Sequence, residues 1–342
     1  MNKKIRLLFS FLFLCHGAMW AKPIFQISPF MFLSFGKMGE YLYKSGDGPV
    51  CSYLEWEEKP LWGGGLEGKI KFDNFSMAIS GSAGIPSSCG KMFDSDYFYT
   101  GKNQAGTKFI YSIHKADAVS YVDCSFSVMY DFPIGGRLKL SPVLKPEYTF
   151  ASIKAHDGYG WYGNLSSGKV AWDSAEAVFH PKLYGIDFLR HEFNFWCGGM
   201  AEIKLSEKIL LGINLFFAIW TYDYSVDEHH GVENPFVMKE YLSAYFSRIN
   251  CGVKLDYKIT EKISINLAAD FLYGPERRGE TYVNFLNSQD GFYESSQNTG
   301  SDVLQFAINS PSLFGGDFFC TFKFFSKSSR LFCMFYYKND YI

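Results

Sequence analysis

Two short stretches carry residue types at a spacing that could activate water. In Asp227-Glu228-His229 a carboxylate stands two residues from an imidazole. Side chains on an extended strand alternate faces, so Asp227 and His229 point the same way. A carboxylate beside an imidazole fixes its tautomer and raises its basicity, which suits a general base. The second stretch, Met92-Phe93-Asp94-Ser95-Asp96-Tyr97, holds two carboxylates at the same spacing. Like charges on one face repel, so one of them should hold its proton more tightly. Such a pair would bind or polarise water, or hold a cation. Taken alone, each pair is explained as well or better by solvated acids at a strand end or by an ion pair at a rim.

These residues need strands to position them, and the sequence supplies strand patterning. In residues 210–229, Asp223, Ser225, Asp227 and His229 share one face, and Trp220, Tyr222, Tyr224 and Val226 share the other. A polar face backed by an aromatic one is the pattern of a membrane-barrel strand leaving the bilayer. In residues 122–132, Val122, Cys124, Phe126, Val128, Tyr130 and Phe132 oppose Asp123, Ser125, Ser127 and Asp131. Residues 245–257 repeat the alternation, with Tyr245, Ile249, Val253, Leu255 and Tyr257 opposite Arg248, Asn250, Lys254 and Asp256. Residues 263–273 do the same. Charges inside such segments require a face that meets water or other charges. Ser76, Ala78, Ser80 and Ser82 place even positions inside, and Asp94 and Asp96 keep that parity unless residues 86–90 carry a bulge. Residues 210–219 are apolar on both faces, and their facing is not legible.

Short connections are expected at 73–74, 135–136, 206–208 and 260–262, and long ones at 99–117, 156–181, 230–239 and 274–310. Alternating short and long connections match the periplasmic turns and extracellular loops of an outer-membrane barrel. The fold class expected is all-β: a ten-stranded antiparallel transmembrane β-barrel at residues 22–325. Residues 326–342 form a tail with no assigned role.

Composition agrees. Of 342 residues, 35 are Phe and 23 Tyr, an aromatic share of 19% that suits the ring girdles of such barrels. Mean hydropathy is −0.07, too low for a bundle of membrane helices. The net charge of −2 gives no reason to expect a nucleic-acid partner. Residues 1–21 read as a signal peptide, with Lys3, Lys4 and Arg6 before an apolar run and Ala18 and Ala21 as candidate cleavage residues. Leu14 ill fits the small residue wanted before a lipidated Cys15. None of the eight cysteines forms a CxxC pair, so no metal site is expected, and several sit in strands as small wall residues.

With Gly39-Glu40-Tyr41-Leu42-Tyr43, Leu54-Glu55-Trp56, the block 90–97 and the run from Trp220 to His229, the chain resembles the omptins. These are ten-stranded outer-membrane proteases whose active site lies in the extracellular mouth. The order, spacing and strand position of the blocks carry the resemblance, which covers nearly the whole mature chain. It implies that Asp94 and Asp96 form an aspartate couple, that Asp227 and His229 form an aspartate–histidine couple, and that a water between them attacks the peptide bond. It further implies polypeptide substrates, an outer-membrane lipid setting and a preference for cleavage between basic residues, the first read by two acids. Glu40 matches one of those acids, and Met92 matches a residue beside the scissile bond. Ser225 stands where the second acid is expected, and Asp223 lies one residue pair lower on the same face. The omptins need lipopolysaccharide for activity, but no set of basic lipid-contacting residues is legible here. The rival expectations are a non-enzymatic adhesin or structural barrel, and a small diffusion pore, which so narrow a lumen argues against.

Overall fold

The computed structural model describes residues 23–43, 48–99, 106–164, 167–180, 185–230, 235–260, 264–285, 297–308 and 331–334, with backbone alone from residue 285 onward. They form one sheet of fifteen segments, every pairing antiparallel. In chain order these are β1 (Ile24–Tyr43), β2 (Val50–Phe72), β3 (Phe75–Gly84), β4 (Ser87–Phe98) and β5 (Thr107–Tyr130). Next come β6 (Phe132–Ile134), β7 (Leu138–Tyr162), β8 (Ala177–His180), β9 (Ile186–Lys204) and β10 (Ile209–His229). The last are β11 (Phe236–Ala244), β12 (Arg248–Lys258), β13 (Ser264–Phe285), β14 (Gln297–Ile308) and β15 (Leu331–Met334).

Hydrogen bonding runs from β1 to β2, through β3 and β4 to β5, then β7, β9 and β10. From there it passes through β11 and β12 to β13, β14 and back to β1. The sheet thus returns to its own first strand, the arrangement that removes exposed edges. Some segments are pieces of one longer line. β3 and β4 both lie between β2 and β5, interrupted at Ile85-Pro86, where proline has no N–H to give the ladder. β11 and β12 both lie between β10 and β13, interrupted around Phe246, whose φ is 51°. Joining these two pairs of pieces takes the fifteen segments to thirteen, still more than the ten strands expected.

The expected turns at 73–74, 135–136 and 206–208 are present, the second with Gly135 and Gly136 at φ 60° and 76°. The expected long loops are shorter than read. β5 begins at Thr107, β7 runs to Tyr162, β11 begins at Phe236, and β13 and β14 occupy much of 274–310. Paired strands continue above the apolar zone, where alternation no longer needs an apolar outer face and so leaves little pattern. Tyr245 does not open a strand but sits in the exposed break before β12. Part of the tail is placed: Leu331–Met334 pairs with Phe30–Phe32 of β1, next along that strand from β14.

Outward positions form an apolar band that includes Leu66, Ile79, Val122, Phe126, Ile213, Leu215, Phe217 and Val253. Inward positions pair charges: Lys71 with Asp131 at 2.7 Å, Lys145 with Glu147 at 2.5 Å, Lys254 with Asp256 at 3.2 Å, and Lys139 with Glu202. Buried charge is tolerated only when paired, and these pairs occupy the space within the sheet.

Two irregularities set the facing of the candidate residues. On β10, Ile213, Leu215 and Phe217 are exposed while Phe216 and Ala218 are buried. Beyond a bulge at Ile219 the parity reverses, so Trp220 and Tyr222 face out while Thr221, Asp223, Ser225 and Asp227 are buried. The bulge is why residues 210–219 carried no single reading. On the other side, parity slips at Ile85-Pro86 and slips back at Cys89, which stands out of register with β5. Gly90 takes φ 117° there, a backbone conformation that suits glycine, and a Cβ would meet Glu57 Cβ at 2.9 Å. The two slips cancel, and Met92, Asp94 and Asp96 keep the inward parity of Ser76 and Ser82.

Cys124 is exposed on the outer face and Cys251 lies on the outward parity of Ile249 and Val253; neither is bridged. Thiol titration of denatured, unreduced protein should find both free. A mapped disulfide between them would show that the strand facing is wrong.

Candidate active site

The four candidate residues lie beyond the apolar band on two distant parts of the sheet. Asp94 and Asp96 stand opposite Leu54 and Ser52 of β2. Asp227 stands between Phe188 of β9 and Met238 of β11, and His229 between Ile186 and Phe236. His229 Nε2 lies 2.8 Å from Asp227 Oδ2, and its ring stacks on Phe236 with centroids 4.3 Å apart and planes 16° apart. The carboxylate and the ring together hold the imidazole in one orientation, leaving Nδ1 as the nitrogen not engaged by Asp227. Asp227 Oδ1 and Asp94 Oδ1 are both closed to water and have no hydrogen-bond partner in the structure.

Met92 is fully buried beneath Asp94, level with Trp56 and Met38 along the paired strands. Glu40 of β1 is level with Asp94 through Leu54. It is 4% exposed, and its Oε1 has no hydrogen-bond partner. Ser225 is buried next to Asp227 on the same face, and its hydroxyl donates to Glu240 Oε2 at 2.9 Å. Asp223 is 1% exposed and turned to arginines: Arg277 at 2.5 Å, Arg190 at 3.0 Å and Arg248 at 3.7 Å. Arg190 and Arg248 also bind Glu192, so this network forms a charge-paired floor under the mouth.

A sequence model of the omptin family matches residues 31–308. The chain belongs to the omptin family. This omptin shares its fold with the outer membrane protease OmpT of Escherichia coli. The TM-score is 0.72 at 13% identity, over 92% of this chain and 97% of that one. Other barrels match loosely. The translocator domain of the autotransporter NalP from Neisseria meningitidis gives a TM-score of 0.32 at 8% identity, over 82% of this chain and 87% of that one. The toluene transporter TodX of P. putida gives 0.29 at 8% identity, over 93% and 91%. No curated protein sequence matches the chain.

In this omptin the two couples share one electrostatic field. Burial pushes the Asp94 carboxyl up to about 8, helped by Asp96 and Asp227 and opposed by His229. Burial also raises Asp96, against a hydrogen bond from Ser52 and the charge of His229. For His229 burial opposes the cation, but the charge and hydrogen bond of Asp227, with Asp94 and Asp96 behind them, outweigh it and raise the imidazole above its ordinary value. The charges of the two couples thus act on one another across the sheet.

Sequence reasoning missed Glu240, which follows directly on the stretch 230–239 read as loop and lies within the strand Phe236–Ala244. The alternation of buried Met238, Glu240 and Leu242 is the signal that would have found it. It also missed Tyr162, whose hydroxyl lies 2.7 Å from His180 Nε2 and which shares a level with Asp96 through Ile110.

A base must be neutral to accept a proton, so activity resting on His229 is lost as pH falls through its raised pKa. The acid limb should therefore lie above the ordinary imidazole value of about 6.5. In an imidazole NMR titration, Asp227→Asn should move the His229 midpoint to lower pH. An unmoved midpoint would remove Asp227 as the partner that sets the base.

Proposed function

We propose that the protein is an endopeptidase of the outer membrane with its active site in the extracellular mouth. The observation that carries this reading is the Asp227–His229 hydrogen bond, on whose imidazole the charges of Asp94 and Asp96 also act. Membership of the omptin family supports it. The basic start and apolar run of residues 1–21 support export, and the remainder to residue 325 is read as the barrel. The closed pairing circuit supports ten staves when collinear pieces are joined: β3 with β4, β5 with β6, β11 with β12, and β14 with β15, β8 being a short flap on β7.

In the proposed reaction a water molecule sits between the couples. His229 Nδ1 takes its proton as the water oxygen bonds to the peptide carbon, and Asp227 holds the imidazolium through Nε2. The tetrahedral intermediate collapses by breaking the C–N bond, and the leaving amine takes the proton from His229. No acyl-enzyme forms. Asp94, held near 8 by burial and its neighbours, keeps the proton of the aspartate couple at neutral pH. It can donate that hydrogen to the developing oxyanion while Asp96 holds the water. Proton transfer by a positioned side chain is worth roughly 10²–10⁴ in rate. Substrates are polypeptides cut beside a basic residue, because the cleft offers a buried carboxylate at Glu40, and Arg190, the cation that acts on it, is itself bound to Asp223 and Glu192. Met92 would form the wall beside the scissile bond.

Refolded protein, assayed on a peptide library with and without lipopolysaccharide, should cleave. Asp94→Ala, Asp96→Ala, Asp227→Ala and His229→Ala should each lower turnover by about 10² or more while the barrel stays folded. The Asp94→Ala/His229→Ala double variant should be little worse than either single, since groups acting as one unit are not additive. Turnover in His229→Ala equal to wild type would remove this mechanism. No cleavage by folded wild type under any lipid condition would leave the non-enzymatic barrel.

A further inference from the structure

We propose that Glu240, on β11, supplies the second acid of a cation pocket for a Lys or Arg side chain of the substrate, with Ser225 as the residue that positions it. The inference rests on the peptidase reading above and names the pocket that reading needs.

Ser225 and Glu240 are direct cross-strand partners on β10 and β11. Side chains of directly opposite residues lie about 4.5–5.5 Å apart at Cβ, close enough for the longer acid to lean across its neighbour. It does so here: the Ser225 hydroxyl donates to Glu240 Oε2 at 2.9 Å. The carboxylate thereby comes to the position where an acid on β10 would have stood. Glu240 is 3% exposed.

The cleft around it is rich in buried acid. Glu40 on β1 is raised well above the ordinary carboxylate value, first by burial and then by the charges of Asp227 on β10 and Glu240 on β11. Three carboxylates from three strands therefore act on one another in a space shielded from water. Their mutual repulsion is unfavourable unless a cation enters or a proton is held. Arg190 of β9 eases the repulsion at Glu40 but is itself bound to Asp223 and Glu192. A guanidinium or ammonium brought by a substrate would relieve that repulsion. Glu40 Oε1 is buried without a partner at hydrogen-bond geometry, the Trp56 indole being the donor that acts on this carboxyl, and so can accept from an entering cation.

The position read in the sequence as a lost acid is, on this view, a relocated one. The consequence differs from simple loss. Ser225→Asp would not restore a missing charge; it would set a further carboxylate against Glu240 and break the hydrogen bond that orients it.

The test compares kcat/KM for paired peptides that differ only in Lys or its neutral isostere norleucine before the cut. Glu240→Gln keeps an acceptor for the Ser225 hydroxyl, so the strands should stay paired, and heat-modifiable gel migration verifies folding. It should lower the Lys-to-norleucine ratio by about tenfold or more, the worth of one charge-assisted contact. Glu40→Gln should lower it likewise, and Ser225→Asp should fail to raise it. A Lys-to-norleucine ratio in Glu240→Gln equal to wild type would overturn the assignment while leaving the peptidase reading intact. Absence of cleavage by wild type would instead overturn the peptidase reading.

Discussion

The structure depends on one constraint: a strand in a closed sheet has one face for the apolar surroundings and one for the interior, and each inserted residue exchanges them. The acids of this cleft are tolerable only on the interior face. Asp227 is wholly buried, and Asp223, four residues below it on the same face, is held by arginines. A slip of one residue on β10 would turn Asp223, Ser225, Asp227 and His229 outward and Trp220, Tyr222 and Tyr224 inward. Both interior and exterior would then be wrong together. The bulge at Ile219 and the paired slips around Pro86 and Cys89 are therefore parts of the site, although none of them supplies a candidate catalytic side chain.

From this facing follows the chemistry. Strands bring carboxylates from β1, β4, β10 and β11 into a space closed to water, where burial and the neighbouring acids raise the hold of Glu40 and Asp94 on a proton. Desolvation alone would suppress the imidazolium of His229, but the surrounding acids reverse that outcome. On the function proposed here, this crowding of acids is what a proton-accepting step and a positively charged substrate side chain would draw on. Below it, the arginine network on Asp223 and Glu192 isolates the mouth from the charge-paired interior. Removing one partner of such a buried pair typically costs about 3–5 kcal/mol, so this floor is a structural element of some weight.

Much of this was legible in the sequence because period-two alternation is a local signal. The clean segments around Phe126 and Val253 announced their faces, and Asp94 with Asp96 and Asp227 with His229 announced theirs by spacing. What was hidden depended on partners far along the chain. Residues 210–219 read as apolar on both faces because a bulge in their midst changes the phase. Glu240 went unread because above the apolar band an outer face can be polar, and alternation fades into the look of a loop. Asp223 was a candidate pocket acid by parity, yet its three arginines come from β9, β12 and β13. Parity places a side chain inside without naming what it will meet.

The reversal of facing at Ile219 is what places Asp227 and His229 inside. It is tested most directly by placing single nitroxide labels at residues 213, 215, 217, 220 and 222 and at the intervening positions 214, 216, 221 and 223. In lipid bilayers, each label is then scored for collision with oxygen against a water-soluble relaxer. Labels at 213, 215 and 217, then at 220 and 222, should be oxygen-rich and lipid-facing, with the period broken once between 217 and 220. An unbroken odd-numbered alternation through 223 would contradict it, because the strand would then carry Asp227 and His229 to the outside of the barrel.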